Sequence, residues 1–257
     1  MAKVLAVVNQ KGGVGKSVTT RNLGEALGLQ GKKVLLLDFD PQGSLSIASG
    51  LDAENLDFTI CNLLEQAMED MPLIHLEDSI YRLGNVDIIP ANIELASLEA
   101  TLVNAMSREQ MLKSVIDEVE GDYDYVLIDC SPSLGMLTIN ALTAADSVII
   151  PVTPQYLSAR GLELLLKSIV RVKRRLNRAL QIEGVLMTMY DKRMKLTREI
   201  EDIILEAYQE EISIFGIRIP TSVKMGEAIL NQQSILQYAP KNPVSEAYKQ
   251  LAMEVIK

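Results

Sequence analysis

Unbroken apolar runs recur along the chain. They lie at residues 4–8, 33–38, 86–89, 125–129, 148–152 and 184–188. A strand that is buried on both faces, as in a parallel sheet, shows this unbroken pattern instead of an alternation of apolar and polar residues. The runs therefore predict the strands of a mostly parallel sheet.

Between these runs, apolar residues recur with the period of an amphipathic helix. The predicted helices cover residues 18–30, 59–70, 92–120, 135–145, 156–179, 196–210 and 244–257. We expect the third to break near Met106-Ser107. Strands that alternate with helices predict right-handed crossovers, and hence an α/β fold with a doubly wound sheet flanked by helices. Residues 40–58 are polar and rich in turn formers, which predicts a mobile loop. A single domain over residues 1–257 is expected from the length.

The first apolar run leads into a glycine-rich segment, Lys11-Gly12-Gly13-Val14-Gly15-Lys16-Ser17-Val18. Glycines lack a Cβ, so the backbone can turn several N–H groups inward, and the positive end of the following helix adds to them. This combination predicts a pocket for a phosphate chain. Lys16 then supplies a positive charge for the β- and γ-phosphates, and Ser17 supplies a hydroxyl ligand for Mg²⁺.

The loop departs from the standard pattern G-x-x-x-x-G-K-[ST], because Gln10 stands at the first glycine position and Lys11 adds a second lysine. It resembles the deviant phosphate loop (deviant Walker A) of the ParA/MinD class of P-loop ATPases. In that class the additional lysine reaches the nucleotide of the partner subunit. The resemblance implies ATP with Mg²⁺, bound by the residues from Lys11 to Val18.

Two predicted strands end in carboxylates, Asp38 and Asp129. Ligands of doubly wound sheets bind beyond the carboxyl ends of the strands, so both carboxylates are expected beside the loop, where a metal site belongs. Asp38-Phe39-Asp40-Pro41-Gln42-Gly43 resembles the ParA segment that holds the attacking water. We therefore assign Asp40 to that water, and Asp38 to a water-mediated contact with Lys16 or Mg²⁺. Asp129 resembles the second-sphere magnesium carboxylate of phosphate-loop enzymes.

Two further stretches, at residues 138–146 and 217–222, resemble ParA proteins. In those relatives the proline of the second stretch and the residue two places on flank the adenine, which implies Pro220 and Ser222 here. Relatives usually carry Asn at the second place. Asn140 is expected to contact the site or the dimer partner. The resemblance covers residues 3 to about 255, and it is to ParA-type partition ATPases of the short form, without an N-terminal helix-turn-helix domain.

The resemblance also implies a reaction cycle. Two subunits enclose Mg-ATP and each donates Lys11 to the other's nucleotide, with Lys16 and Asp40 completing the catalytic set. The ATP-bound homodimer holds DNA without sequence preference in the cytoplasm, on the nucleoid. A ParB-like centromere-binding protein stimulates a slow basal hydrolysis and releases the dimer, which segregates plasmid or chromosomal DNA.

The net charge of −9 excludes a chain that coats nucleic acid through bulk charge, so DNA contact requires a local basic patch. Relatives use the residue at the Arg193 position and basic residues around Lys224, which with Arg218 and Lys195 are our predicted DNA contacts. A second basic cluster consists of Arg171, Lys173, Arg174, Arg175 and Arg178. The attraction of a helix C-terminus for cations explains that cluster as well as DNA binding does.

Three alternatives stay open. A MinD-like membrane ATPase needs a free, basic amphipathic C-terminal helix, whereas residues 244–257 balance Lys249 and Lys257 against Glu246 and Glu254. We therefore expect no membrane partner. A ParA-like ATPase that positions a protein cargo fits the sequence as well as one that partitions DNA does.

The third alternative is a reductase like the nitrogenase iron protein, which needs two cysteines per chain near the dimer axis. Cys130 follows the magnesium strand, but Cys61 lies on a distant predicted helix. The spacing of these two cysteines also does not match a metal site. The one histidine, His75, is expected to be structural.

Overall fold

The computed structural model describes residues 1–256, and of residues 156–160 it describes only the backbone. The strands are β1 (Lys3–Val7), β2 (Val34–Phe39), β3 (Tyr81–Arg82), β4 (Asp87–Ile89), β5 (Tyr125–Cys130), β6 (Ser147–Val152), β7 (Gln181–Tyr190) and β8 (Ile214–Pro220). They lie side by side in the order β3-β4-β2-β5-β1-β6-β7-β8. Neighbouring strands are parallel except for β3 and β4, which confirms the mostly parallel sheet.

Helices cover both faces of this sheet. They are α1 (Lys16–Gly28), α2 (Ser44–Ala48), α3 (Ile60–Met68), α4 (Glu94–Leu102), α5 (Met111–Val119), α6 (Met136–Ala144), α7 (Tyr156–Arg175), α8 (Lys195–Tyr208), α9 (Val223–Leu230), α10 (Ile235–Tyr238) and α11 (Pro243–Ile256). Short 3₁₀ turns lie at Ala53–Asn55 and Glu77–Ser79. None of the described helices is long and apolar enough to cross a bilayer.

The core consists of two apolar clusters, one on each face of the sheet. The larger one lies under α3 to α8, and the other lies under α1, α2 and α9 to α11. Successive residues of β1 alternate between them: Val4 and Ala6 face the larger cluster, whereas Leu5 and Val7 face the other. Burial on both faces explains why the strands read as unbroken apolar runs. The doubly wound α/β fold is thereby confirmed.

Most predicted helices are present within a few residues of their expected bounds. The break in the 92–120 segment is confirmed, since α4 ends at Leu102, α5 begins at Met111, and Ser107 between them has a left-handed φ of 49°. The prediction of a loop over residues 40–58 was wrong at residues 44–48, which form α2. There Leu45 joins the core and Ser46 is fully buried, so tertiary packing overrides the turn-forming composition.

Several short elements were missed, namely β3, α9, α10 and the strand β8. In β8 only Phe215 and Ile219 are buried, so this edge strand lacks the unbroken apolar run of the central strands. The carboxyl ends of the central strands adjoin, with Asp129 opposite Val7 on one side and Asp38 on the other. This edge of the sheet carries the site described next.

Candidate functional site

The glycine-rich loop joins β1 to α1. Gly13 and Gly15 have φ values of 72° and 87°, a left-handed conformation that favours glycine. Gly15 is the N-cap of α1, so the loop ends where the helix presents its unpaired N–H groups. A Cβ placed on Gly12 or Gly13 meets no atom within 4 Å. The outer side of the loop is therefore open to a ligand.

Side chains from distant parts of the chain hold this loop in place. Asn9 Nδ2 donates to the Pro151 carbonyl at 2.7 Å, and Asn9 Oδ1 accepts from Lys11 N at 2.9 Å. Thr188 Oγ1 donates to the Val14 carbonyl at 2.8 Å. The loop is thus anchored to β6 and β7, so its N–H groups are oriented before any ligand arrives. Sequence reasoning did not identify Asn9 or Thr188, because their partners are far away in the chain.

The two lysines of the loop point in different directions. Lys16 is only 7% exposed. Burial lowers its pKa, whereas the nearby acidic groups, chiefly Asp129, oppose that shift. The Lys11 ammonium donates to Gln155 Oε1 at 2.5 Å, on the residue that precedes α7. Lys16 therefore belongs to the cleft of its own chain, while Lys11 reaches towards the start of α7.

Asp38 is fully buried, and three donors hold its carboxylate: Ser46 Oγ at 2.7 Å, Ser46 N at 2.8 Å and Asp40 N at 3.2 Å. Burial raises the pKa of Asp38 to about 7, against the effect of these hydrogen bonds. The carboxylate of Asp40 accepts from Gln42 N at 3.0 Å, and Asp40 lines the cleft beside the loop. Ser46 was not predicted from the sequence.

Asp129 differs from Asp38, since both of its carboxylate oxygens are buried and have no hydrogen-bond partner among the described residues. Burial raises the pKa of Asp129 well above its usual range; the Asp38 carboxylate raises it further, whereas the nearby Ser17 hydroxyl and Lys16 oppose the rise. A buried carboxylate without a hydrogen-bond partner is costly in free energy, and a cation bound beside it would lower that cost.

The chemistry of this donor set fits Mg²⁺. Mg²⁺ prefers oxygen ligands and keeps several waters, so it is usually held by one or two protein groups together with the substrate phosphates. In the described part of the chain no group of three or more His, Cys, Asp or Glu forms a complete metal cage. The Ser17 hydroxyl and the orphaned Asp129 carboxylate match the smaller requirement of Mg²⁺.

Two adjoining cavities lie along this edge. The first, of about 520 Å³, is lined by Gly12, Gly13 and the residues from Gly15 to Val18, by Asp40 and by residues of α2. The second, of about 250 Å³, is lined by Pro220, Ser222 and apolar side chains of β8 and α9. Gly15, Val18, Met189 and Ile229 line both. Ser222 Oγ accepts from Lys224 N at 3.2 Å and so caps α9. The compartment beside the glycine-rich loop thus continues into one of more apolar character.

The four predicted DNA contacts each pair with an acid nearby. Arg193 pairs with Asp191 at 2.7 Å, Lys195 with Glu199 at 3.2 Å, Lys224 with Glu227 at 2.7 Å and Arg218 with Glu201 at 2.5 Å. Arg218 is partly buried and also donates to the Phe215 carbonyl. Its guanidinium is therefore part of the packing between β8 and α8, whereas the other three side chains lie at the surface.

The expectation that Asn140 contacts the site or the dimer partner is wrong. Asn140 is fully buried. Its Oδ1 accepts from Leu112 N at 3.1 Å, and its Nδ2 donates to the Arg108 carbonyl at 2.8 Å. The side chain therefore fixes the start of α5 against α6. The expectation was based on the position of Asn140 after β5, the strand that carries Asp129, and that position does not determine the direction of the side chain.

Sequence comparison gives three results. A family model described as an AAA domain matches residues 2–182. The sporulation initiation inhibitor protein Soj of Bacillus subtilis is 42% identical over 255 residues, which cover 99% of this chain and 98% of that protein. The chromosome-partitioning ATPase Soj of Treponema pallidum is 41% identical over 256 residues, which cover 100% of this chain and 98% of that protein.

The fold also matches a solved structure. Cobyrinic acid a,c-diamide synthase from Mycobacterium smegmatis, with bound ADP and magnesium, matches with a TM-score of 0.86 and 35% identity, covering 100% of this chain and 94% of that one. The same synthase with a bound ATP analog and magnesium also matches with a TM-score of 0.86.

Proposed function

This chain belongs to the Soj/ParA family of ATPases, and we propose that it is a partition ATPase that segregates plasmid or chromosomal DNA. In this proposal an Mg-ATP homodimer binds DNA without sequence preference, and ATP hydrolysis, stimulated by a ParB-like partner, releases it. One observation carries the proposal: a phosphate loop, cations and carboxylates lie together at one edge of the sheet. These groups are the anchored loop with Lys16 and Ser17, and the side chains of Asp38, Asp40 and Asp129.

The two cavities suggest how ATP binds. The triphosphate lies along the N–H groups from Lys11 to Val18, and the adenine lies in the cavity of Pro220 and Ser222. Ser17 and Asp129 hold Mg²⁺, the latter through water. Bound Mg²⁺ neutralises charge on the phosphate oxygens. The M. smegmatis relative was solved with nucleotide and magnesium, which supports this assignment.

Phosphoryl transfer depends on positioning and charge neutralisation more than on covalent chemistry. We assign the orientation of the attacking water to Asp40, whose carboxylate lines the cleft and accepts from Gln42 N. Lys16 stabilises the charge that develops on the phosphates. Asp38 sets the position of this segment through its bond to Asp40 N. A slow basal rate follows if the site is completed only by a partner.

The outward direction of Lys11 supports its proposed role in the partner subunit. Its ammonium lies against Gln155, at the surface, where a second chain can be reached. Exposed apolar side chains also lie on the elements that line the two cavities: Ile47 on α2, Met189 on β7, and Val223 and Leu230 on α9. Exposed apolar surface beside a cleft is typical of protein interfaces. We propose that it closes the homodimer over the nucleotide.

DNA is the proposed polyanionic partner of the dimer. Arg193, Lys195 and Lys224 follow β7 and β8 at the cleft edge and can contact phosphates, with Arg218 supporting the surface from within. Each is paired with an acid, so each contact requires that pairing to be exchanged for a phosphate. Binding of this kind weakens steeply with salt, because phosphate contacts release counterions.

The burial of α11 counts against a membrane role. Val244, Tyr248, Leu251 and Val255 are buried in the cluster that α11 shares with α1 and β8, so its apolar face is not free for a lipid surface. Lys257, whose charge was counted in the expected balance of residues 244–257, lies outside the described residues. We therefore propose a cytoplasmic, nucleoid-associated protein. Positioning of a protein cargo is the alternative, and the identity of the stimulating partner decides between the two.

The reductase alternative loses support because both cysteines are buried. Cys61 packs in α3 and Cys130 at the end of β5, and both belong to the larger apolar cluster. Burial raises the pKa of Cys61 to about 11 and that of Cys130 well above its usual range. Thiols in this environment do not suit a cluster shared between two subunits, which needs thiolates.

The name of the M. smegmatis relative describes amide synthesis and not partition. The Soj relatives are more similar in sequence, at 42% and 41% identity against 35%, and the proposal follows them. The two activities share the first step, binding of Mg-ATP, and differ in what accompanies turnover.

The experiment that tests the proposal is retention on duplex DNA over a salt series, with Mg-ATP, with Mg-ADP and without nucleotide. Anionic vesicles serve as the control surface. ATP-dependent retention that falls with salt is the expected result. Retention on vesicles alone, or no nucleotide dependence, contradicts the proposal.

A further inference from the structure

The end of α7 carries a basic patch that differs from every other cationic surface described above. We call it the α7-end patch, and it consists of Arg171, Lys173, Arg174, Arg175 and Arg178, all of them exposed. The sequence has no acidic residue from Leu164 to Ile182. Among the described residues, none of the five patch side chains forms an ion pair or a side-chain hydrogen bond. Five full positive charges therefore face solvent within eight positions of a chain whose net charge is −9.

The cleft-edge cations provide a direct comparison. Arg193, Lys195 and Lys224 each lie within 3.2 Å of a carboxylate two to four positions away in the sequence. A paired cation projects little net field into solvent, because the opposite charge of its partner lies only a few ångströms away and largely cancels it. An unpaired cluster attracts a polyanion from a distance and binds it without first breaking a local pair.

The helix dipole does not account for the whole patch. Cations stabilise a helix C-terminus only within its last turn. Lys173, Arg174 and Arg175 lie in that turn, whereas Arg171 precedes it and Arg178 follows the end of the helix. The patch extends past both limits, so the helix dipole does not account for its outer members.

The base of the patch is firmly held. Asn177 Nδ2 donates to the carbonyls of Leu142, Thr143 and Ala145 at the end of α6. Val172, between the exposed cations, is buried in the core. The guanidinium groups thus extend from a fixed backbone, which suits repeated contacts along a regular array of phosphates.

We propose that the α7-end patch is the main phosphate-binding surface for duplex DNA, an inference that rests on the proposed function. The chain enters α7 at the cleft edge and returns into β7 at the opposite edge, and a helix of 20 residues spans about 30 Å. The patch therefore lies far from the nucleotide.

The test compares three variants under identical conditions. Arg171→Ala/Arg174→Ala/Arg175→Ala removes three of the five patch cations, and Arg193→Ala/Lys195→Ala/Lys224→Ala removes the cleft-edge cations. Lys33→Ala/Lys113→Ala/Lys241→Ala removes the same charge from other exposed positions. Measurements are the melting temperature, ATP affinity, dimerisation with Mg-ATP and affinity for a random-sequence duplex over a salt series. All substituted side chains of the patch and the control are exposed, so folding and ATP binding should be unchanged in both.

The expected result is a decrease of at least about tenfold in DNA affinity for the patch variant. The slope of log affinity against log salt should fall by about 0.9 for each DNA phosphate that the variant no longer neutralises. The control should be weakened less than the patch variant. Unchanged DNA affinity and slope in the patch variant, or a decrease confined to the cleft-edge variant, overturns the inference and leaves the proposed function intact. Absence of DNA binding by the unmodified protein overturns both. Patch-dependent binding to anionic vesicles but not to DNA assigns the patch to lipid and also overturns the inference.

Discussion

The nucleotide cleft and the α7-end patch both present cations to phosphate, but in opposite environments. Lys16 is 7% exposed, between the anchored loop and Asp129. The patch side chains are exposed, and within the described residues they have no acidic partners. A single buried, oriented charge contributes a large share of the binding free energy, because its electrostatic interactions are strong and its position is fixed. Each exposed charge contributes little to binding, because water and salt screen it, so a strong interaction requires several such charges together. Single substitutions should therefore have large effects in the cleft and small effects on the patch.

The largest effect is expected for Lys16→Ala. Loss of a buried cation from the phosphate site costs about 2–5 kcal/mol of binding free energy. ATP affinity measured by calorimetry should fall by about 30- to 4,000-fold, with the melting temperature of the nucleotide-free protein nearly unchanged or raised. Lys32→Ala, which removes a lysine remote from the cleft, is the matched control. Retained ATP affinity in the Lys16 variant would remove the loop from the mechanism.

Asp40→Ala should separate hydrolysis from binding. A group that positions or activates the attacking water contributes about 10²–10⁴-fold to the rate. We expect turnover to fall by at least about 100-fold, with ATP affinity preserved and the ATP-bound dimer accumulating. Phosphate release and dimer mass are the readouts, and Glu54→Ala, at an exposed position of the following segment, is the control. Normal turnover would assign the water to another residue.

Asp129→Asn should stabilise the nucleotide-free protein and impair its use of Mg²⁺. The substitution removes a buried carboxylate that has no hydrogen-bond partner in the described chain. We expect the melting temperature of the nucleotide-free protein to rise by about 2–4 °C for each kcal/mol gained. The further stabilisation that Mg²⁺ adds to the ATP complex should be abolished. A lower melting temperature combined with normal Mg²⁺ dependence would contradict our account of this carboxylate.

A pH dependence follows from the same pair of carboxyl groups. Burial raises the folded-state pKa of Asp38 to about 7 from an ordinary value of 3.8, and that of Asp129 shifts in the same direction. The folded state then holds more protons than the unfolded state, so stability declines as the pH rises through the interval from about 4 to about 7. Chemical denaturation of the nucleotide-free protein at pH 5, 6, 7 and 8 measures this decline. Asp38→Asn should flatten it, whereas an unchanged profile in that variant would exclude Asp38 as the source.

The smallest effect is expected at the surface. Arg193→Ala should weaken DNA binding only a few-fold and reduce the salt slope by about 1. ATP affinity and dimerisation should stay at the level of the unmodified protein. A complete loss of DNA binding from this single change would mean that one exposed cation contributes as much as a buried one, which would contradict the difference proposed between the surface and the cleft.

The sequence predicted those parts of the site that depend on local order. The loop from Lys11 to Val18 could be identified because its residues are contiguous, and Asp38 and Asp129 because each ends a buried strand. The supporting bonds could not be predicted. Thr188 and Val14 are 174 positions apart, and only the sheet order brings them together.

The wrong expectations have the same physical origin. Ser46 lies in a segment whose composition favours turns, yet its hydroxyl bonds to Asp38 and accepts from Ala91 N, which draws the segment into α2. Asn140 points into the protein because Leu112 N and the Arg108 carbonyl offer it partners there. Both outcomes depend on tertiary contacts, which neither periodicity nor a motif encodes.

The central claim is that two copies of this chain enclose Mg-ATP. Sedimentation of the protein with a saturating, non-hydrolysable ATP analogue and Mg²⁺ tests it most directly. Our account predicts a species of twice the 28.4 kDa chain mass, and a return to the single-chain mass when ADP replaces the analogue. A single-chain mass under both conditions would contradict it.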